Sequence, residues 1–235
     1  MSNYMIGNAW CDENGGISGK PGDQRQKQVC DYKGEVRQQD FYENKKGWFV
    51  FRWKDEKLAI KACEKMMKAC DNKHIGYSQT QREMIYTDKT TSKKDTNCDC
   101  SSLVCQITRE VSKKKIPDFY TATEPDILAK TGLFEDKVKY TPGMILCHGD
   151  IIVTCTKGHT AIVTRGDSFE VAKKAKEAKP VASKPVNEKK SIDVIVQEVI
   201  NGKWGNNPER RKRLTEAGYD YELIQSRVNK ILLGR

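Results

Sequence analysis

The chain has 235 residues, 37% hydrophobic and 31% charged, with 42 Lys and Arg against 32 Asp and Glu for a formal net charge of +10. That length suits one domain of roughly 150 residues plus a small one, and no apolar run approaches the roughly 20 residues of a membrane span, which excludes stable membrane insertion by a helix. The opening MSNYMIGNAWCDENGG has neither a basic n-region nor an apolar core, so no signal peptide is expected and synthesis in the cytoplasm is.

In chain order, a glycine-rich loop (Gly15, Gly16, Gly19, Gly22) leads to Asp23 and Gln24, polar residues that serve either the turn itself or a substrate. GWFVFRW at 47–53 predicts an aromatic strand, and Leu58, Ala62, Met66 and Cys70 at helical spacing predict a helix through 55–70. Ser78 and Gln81 fit a capping box for a second helix, SQTQREMIY, and Leu103, Ile107 and Val111 mark a third that opens near Cys100. After Thr141-Pro142-Gly143, the β-branched runs MILC, IIVTC and HTAIVT predict an antiparallel meander. Helices followed by strands read as α+β.

Residues 170–190 hold seven Lys and three Glu with Ala, Pro and no apolar period, which predicts a solvated tether. It divides the chain into 1–169, the linker 170–190, and 191–235. Charge gathered in a tether argues against nucleic-acid binding and for solubility, with attraction to an anionic surface as the other reading. In 191–235, breaks at Gly202, Gly205 and Gly218 predict three short helices. Their inward residues are Ile192, Val196, Val199 and Ile200, then Leu214 and Ala217, then Ile224, Val228 and Ile231, with Trp204, Tyr219 and Tyr221 filling a small core.

Nine cysteines, an odd number with no export signal, predict reduced thiols that are mostly small buried hydrophobes. Cys100 stands apart because it falls at the first turn of an amphipathic helix, where free N–H groups and the helix dipole favour a thiolate. Of three histidines, His159 is best placed as its base, at the start of the alternating run HTAIVT, with His148 as the rival beside a Gly-Asp turn. Asp167 is the candidate to orient His159, although Arg165-Gly166-Asp167-Ser168 equally makes a hairpin turn. The spacing Cys98-x-Cys100-x4-Cys105 leaves structural zinc as an alternative that lacks a second ligand pair. The Cys-His reading needs neither metal nor cofactor.

The run Asp99-Cys100-Ser101-Ser102-Leu103-Val104, then Gly149-Asp150-Ile151-Ile152-Val153, then Gly158-His159-Thr160-Ala161-Ile162-Val163 resembles, in that order, the motifs of the NlpC-type superfamily of papain-like peptidoglycan hydrolases, which includes the CHAP amidases. Ser102 stands where that family carries glycine. Gly22-Asp23-Gln24 and Ile75-Gly76-Tyr77-Ser78-Gln79-Thr80-Gln81-Arg82 extend the resemblance to phage peptidoglycan amidohydrolases. It implies a papain-like fold with Cys100 and His159 catalytic and Tyr77 lining the site, at a longer spacing to the cysteine than usual. It also implies substrate contact by Asp23 and Gln24.

Gly202-Lys203-Trp204-Gly205-Asn206, Arg210, Arg213-Leu214, Ala217-Gly218-Tyr219-Asp220-Tyr221, Gln225 and Val228-Asn229 resemble the CW-seven cell-wall-binding repeat of phage lysins. It implies peptidoglycan as the partner, bound through Trp204, Arg210, Arg213, Tyr219 and Tyr221, with a core role for the aromatics and a solvated face for the arginines as the other reading. A single copy binds weakly unless self-association adds avidity. Together the resemblances imply an endolysin that waits in the host cytoplasm for a holin to open the membrane. It would then cut a stem-peptide amide, or alternatively the muramoyl-alanine bond. A non-catalytic wall-binding protein is the competing class.

Overall fold

The computed structural model describes residues 4–24, 34–177 and 192–233, and the chain separates into two compact units, 1–178 and 179–235. Among the described residues it is a mixed α+β protein with an antiparallel six-stranded sheet and eight helices.

The N-terminal unit is built on strands β1 (Met5–Ala9), β2 (Val36–Asp40), β3 (Trp48–Phe51), β6 (Val138–Lys139), β7 (Ile151–Thr154) and β8 (Thr160–Arg165), in the sheet order β2-β1-β8-β7-β3-β6. A parallel pair, β4 (Ile75–Tyr77) and β5 (Thr96–Cys98), lies outside that sheet. The helices are α1 (Glu56–Cys70), α2 (Met84–Asp88), α3 (Cys100–Ser112), α4 (Glu124–Lys130) and α5 (Phe169–Glu177).

Alternation along the strands decides the packing. Phe51, Ile151, Val153 and Ile162 point to one face, where Ala59, Ala62 and Met66 of α1 and Leu103, Val104 and Ile107 of α3 cover them. Trp48, Val50, Ile152, Ala161 and Val163 point to the other, beneath Phe41, Leu146, Tyr42, Tyr140 and Met144. Both faces of the central strands are therefore buried, which is why their sequence reads as continuous apolar runs. Gly7 on β1 lets α1 approach: a Cβ there would stand 2.4 Å from Met66 Cγ.

Helix α1 matches the expected span and is capped by Asp55, whose side chain accepts from the Lys57 N–H. Other expectations need correction. The capping box at Ser78 does not open a helix. Ser78 Oγ does accept from the Gln81 N–H at 3.3 Å, but the backbone of Ser78 donates to the Cys98 carbonyl, and α2 begins only at Met84. MILC is no strand. Leu146 and Met144 roof the second sheet face, and Cys147 makes only an isolated bridge to Asp167. Strands β1 and β2 precede every helix, so the order is not helices first. The start of the expected linker is helical as well, because Phe169 and Ala172 of α5 pack inward. The rest of the linker, from residue 178 on, falls outside the described residues, as does Cys30.

The C-terminal unit has α6 (Ile192–Ile200), α7 (Glu209–Glu216) and α8 (Tyr221–Leu233) around a core of Ile195, Val196, Val199, Leu214, Ile224 and Val228. Gly202, Gly205 and Gly218, the expected breaks, all have positive φ. Ile195 joins the core unforeseen, whereas Ala217 and Ile231 face solvent, Ile231 at 56% exposure.

Candidate active site

Helix α3 starts as the sequence implies, and its start is tightly made. Asp99 is the N-cap: its Oδ1 accepts from the Ser102 N–H at 2.6 Å while Ser102 Oγ accepts from the Asp99 N–H at 2.9 Å. Ser102 thus completes a capping box. The other oxygen, Asp99 Oδ2, pairs with Arg82 Nε at 2.7 Å, and Arg82 also donates to Asp118 at 2.5 Å and to the Phe119 carbonyl at 2.7 Å. Cys100 is therefore held at the first helical position by a buried ionic frame.

Cys100 as a residue is 8% exposed, and the backbone N–H groups of Thr160 and Ser101 approach its thiol. The helix N-terminus was expected to favour the thiolate. Instead burial, then the neighbouring Asp99 and Glu124 carboxyls, push the Cys100 thiol up to about 12. Desolvation outweighs the helix dipole here.

His159 immediately precedes Thr160, the residue whose N–H approaches the thiol. Burial, and then Arg37, lower its pKa to about 4. With the thiol pushed up and the imidazole pushed down, both groups favour their neutral forms at neutral pH. His159 Nε2 lies 3.1 Å from Asn8 Oδ1, and Asn8 Nδ2 donates to the Arg37 carbonyl at 3.4 Å. Because that carbonyl only accepts, the amide nitrogen must face it and the amide oxygen must face the ring. Nε2 then carries the proton, and Nδ1 keeps a lone pair. Trp10, 39% exposed, meets the ring edge-on at 5.5 Å, and Trp48 lies 6.4 Å away behind it.

Asn8, and not Asp167, is the residue in contact with the His159 ring. Asp167 lies past the far end of β8 from His159, where it accepts from Tyr4 Oη at 2.7 Å. At roughly 3.3 Å per residue the strand separates the two widely. His148 sits at that far end too, its backbone donating to the Asp167 carbonyl at 3.3 Å. The three thiols of the zinc alternative diverge: Cys98 Sγ lies against the Gly76 carbonyl and Cys105 Sγ against the Pro117 carbonyl.

Tyr77, buried on β4, has its pKa raised by burial and by the charge of nearby Cys100, and its hydroxyl accepts from Gln79 Nε2 at 3.0 Å, which leaves the phenolic proton available. The Asp23 backbone N–H donates to the Lys73 carbonyl at 3.0 Å. Gln24 turns its amide onto the Pro21 and Gly22 carbonyls, and its backbone N–H donates to Glu35, whose other oxygen accepts from the Tyr77 N–H. Their loop props up Tyr77 through Glu35. Asn8 and Trp10, which contact the His159 ring, belong to no motif that the sequence displays.

In the C-terminal unit Trp204 and Tyr219 pack edge to face at 6.0 Å beside the core, Trp204 Nε1 donates to Glu198 at 3.1 Å, and Tyr221 Oη accepts from Asn207 Nδ2 at 2.7 Å. Arg210 Nε donates to the Gly205 carbonyl at 2.9 Å, whereas exposed Arg213 lies over the Trp204 ring at 5.8 Å. Arg210 is engaged in the fold, and Arg213 is turned to solvent.

The endolysin-like domain family matches residues 6–169, and the CW_7 repeat matches residues 193–232. A lysozyme of Streptococcus phage Cp-7 is 47% identical over 45 residues, which are 19% of this chain and 13% of that protein. No solved structure matches the chain.

Proposed function

The chain belongs to the endolysin-like domain family through residues 6–169, and from that premise we propose that it hydrolyses an amide bond in the peptide part of peptidoglycan by a cysteine-histidine mechanism on a papain-like scaffold. The observation that carries this reading is the His159 Nε2 to Asn8 Oδ1 contact of 3.1 Å, made by the residue next to Thr160, whose N–H reaches the Cys100 thiol. A tautomer fixed at Nε2 directs a basic Nδ1 to its task.

As Cys100 Sγ attacks the carbonyl carbon, its proton passes to His159 Nδ1, since both groups start neutral. The oxyanion takes the Cys100 backbone N–H, unused by the helix at this position, and the Tyr77 phenolic proton. His159 then protonates the departing amine. Water, deprotonated by the same nitrogen, hydrolyses the thioester and restores the thiol. An open groove of about 370 Å³ lined by Gln79, Thr80, Gln81 and Tyr120 continues from Tyr77 and offers amide and hydroxyl partners to a peptide.

The C-terminal unit, as a CW_7 repeat, would hold the enzyme on the wall through Arg213 and Trp204. The protein would be made in the host cytoplasm and meet its substrate once the membrane opens.

The test is clearing of purified Gram-positive walls, with mass spectrometry of the fragments. Cys100→Ala should lower clearing by at least about a thousandfold, and new amino termini should name the bond as a stem-peptide or a muramoyl-alanine amide. Equal clearing by the variant, or new reducing sugar ends, would sink the mechanism.

A further inference from the structure

Glu124 opens α4 and is fully buried. Its Oε1 lies 2.7 Å from Thr160 Oγ1, which itself lies 3.0 Å from the Ile152 carbonyl. A hydroxyl has one proton for these two neighbours, and the carbonyl can only accept. Both contacts are satisfied together when Thr160 donates to Ile152 and Glu124, as the neutral acid, donates to Thr160. The other oxygen, Oε2, has no hydrogen-bond partner among the described residues, which a neutral carboxyl tolerates far better than a charged one.

The same segment grips the other flank of His159, since the Gly158 N–H donates to Thr121 Oγ1 at 3.1 Å. Residues 121 and 124 thus bracket the histidine. We propose that Glu124 is the positioning residue of this site: held as the neutral acid, it fixes Thr160, and so keeps His159 and the Thr160 N–H set against Cys100 until its ionisation draws the Thr160 proton away from the Ile152 carbonyl.

Charge makes the arrangement conditional. Burial raises Glu124 to about 8, with the Thr160 contact opposing and Asp99 adding to the shift. The facing ionisable groups are Asp99, Cys100 and Cys105 on and before α3, with Asp99 itself paired to Arg82, and His159 at the start of β8. An ionised Glu124 would oppose any negative charge growing on Cys100 Sγ and would take the Thr160 proton from the Ile152 carbonyl, turning the hydroxyl.

The inference rests on the Cys100–His159 reading, and the experiment separates the two. The full-length protein and Glu124→Gln are compared by kcat/KM on wall fragments and by iodoacetamide alkylation of Cys100, from pH 6 to 10. Wild type should fall about tenfold between its plateau and pH 9 with one ionisation, whereas the amide, which donates to Thr160 and does not ionise, should stay within about twofold at pH 9. An unchanged alkaline limb in Glu124→Gln, or a folded Glu124→Gln inactive at pH 7, would overturn the proposal. Infrared titration of the wild-type protein decides the matter should the variant not fold: a protonated carboxyl band that disappears near pH 8 is expected, and its absence at pH 7 overturns the proposal. If Cys100→Ala clears walls normally while that band titrates as stated, the cysteine mechanism has failed and the neutral acid has not.

Discussion

The two units treat polar groups in opposite ways. The N-terminal unit buries Arg82, Asp99, Glu35, Glu124 and Asp150 among its strands and helices, whereas no charged residue is buried among the described residues of the C-terminal unit, whose interior is wholly apolar. Buried charge is costly to hold and costlier to strand, so the first unit concentrates its vulnerability at single polar residues. The second depends on a handful of aliphatic side chains and has its surface free to vary.

Arg82→Ala gives the sharpest expression of that contrast. It strands the buried Asp99 carboxylate at the α3 cap, and should lower the stability of the N-terminal unit by about 3–5 kcal/mol, read by urea unfolding. In the other unit the counterpart is apolar. Leu214→Ala, at a fully buried position, should cost about 2–5 kcal/mol, enough to unfold so small a unit, whereas Ile231→Ser, on an exposed one, should cost under about 0.5 kcal/mol. Equal costs for these two would erase the distinction between core and surface drawn here.

Within the N-terminal unit the ends of β8 can be set against each other. Asn8→Ala should reduce kcat by about tenfold to a hundredfold through a misplaced imidazole, with KM little changed, while Asp167→Ala at the far end should leave kcat within about twofold. A reversed pattern would return the orienting role to Asp167.

The smallest expected effect is a pH slope. Glu124 keeps its proton in the fold up to about pH 8, while its ordinary value is 4.5, so across that window the folded chain holds one proton more than the unfolded chain and stability falls as pH rises. Glu35, raised by burial to about 7, adds the same sign up to that pH. His159, lowered from 6.5 to about 4, gains stability with rising pH between those values. From pH 7 to 8 neither of these contributes much, and the unfolding free energy should drop by about 1 kcal/mol, a slope that Glu124→Gln should flatten.

What the sequence determined by itself is local. Helix periodicity placed α1, the Asp-Cys-Ser-Ser run placed α3 with Cys100 at its first turn, and the glycines placed the breaks of the C-terminal unit, because caps, turns and periodicity are written in neighbouring residues. The tertiary structure alone decided what lies far apart along the chain. β1 carries Gly7 for a close helix approach and Asn8 for a histidine on β8, in a five-residue strand with no distinctive pattern of its own. MILC looked like a strand because a cover lying on a sheet needs the same apolar residues as a strand within it. The protonation of Cys100 likewise followed from how deeply the fold buries the thiol, since desolvation depends on every atom packed around a group and the helix dipole only on its own helix.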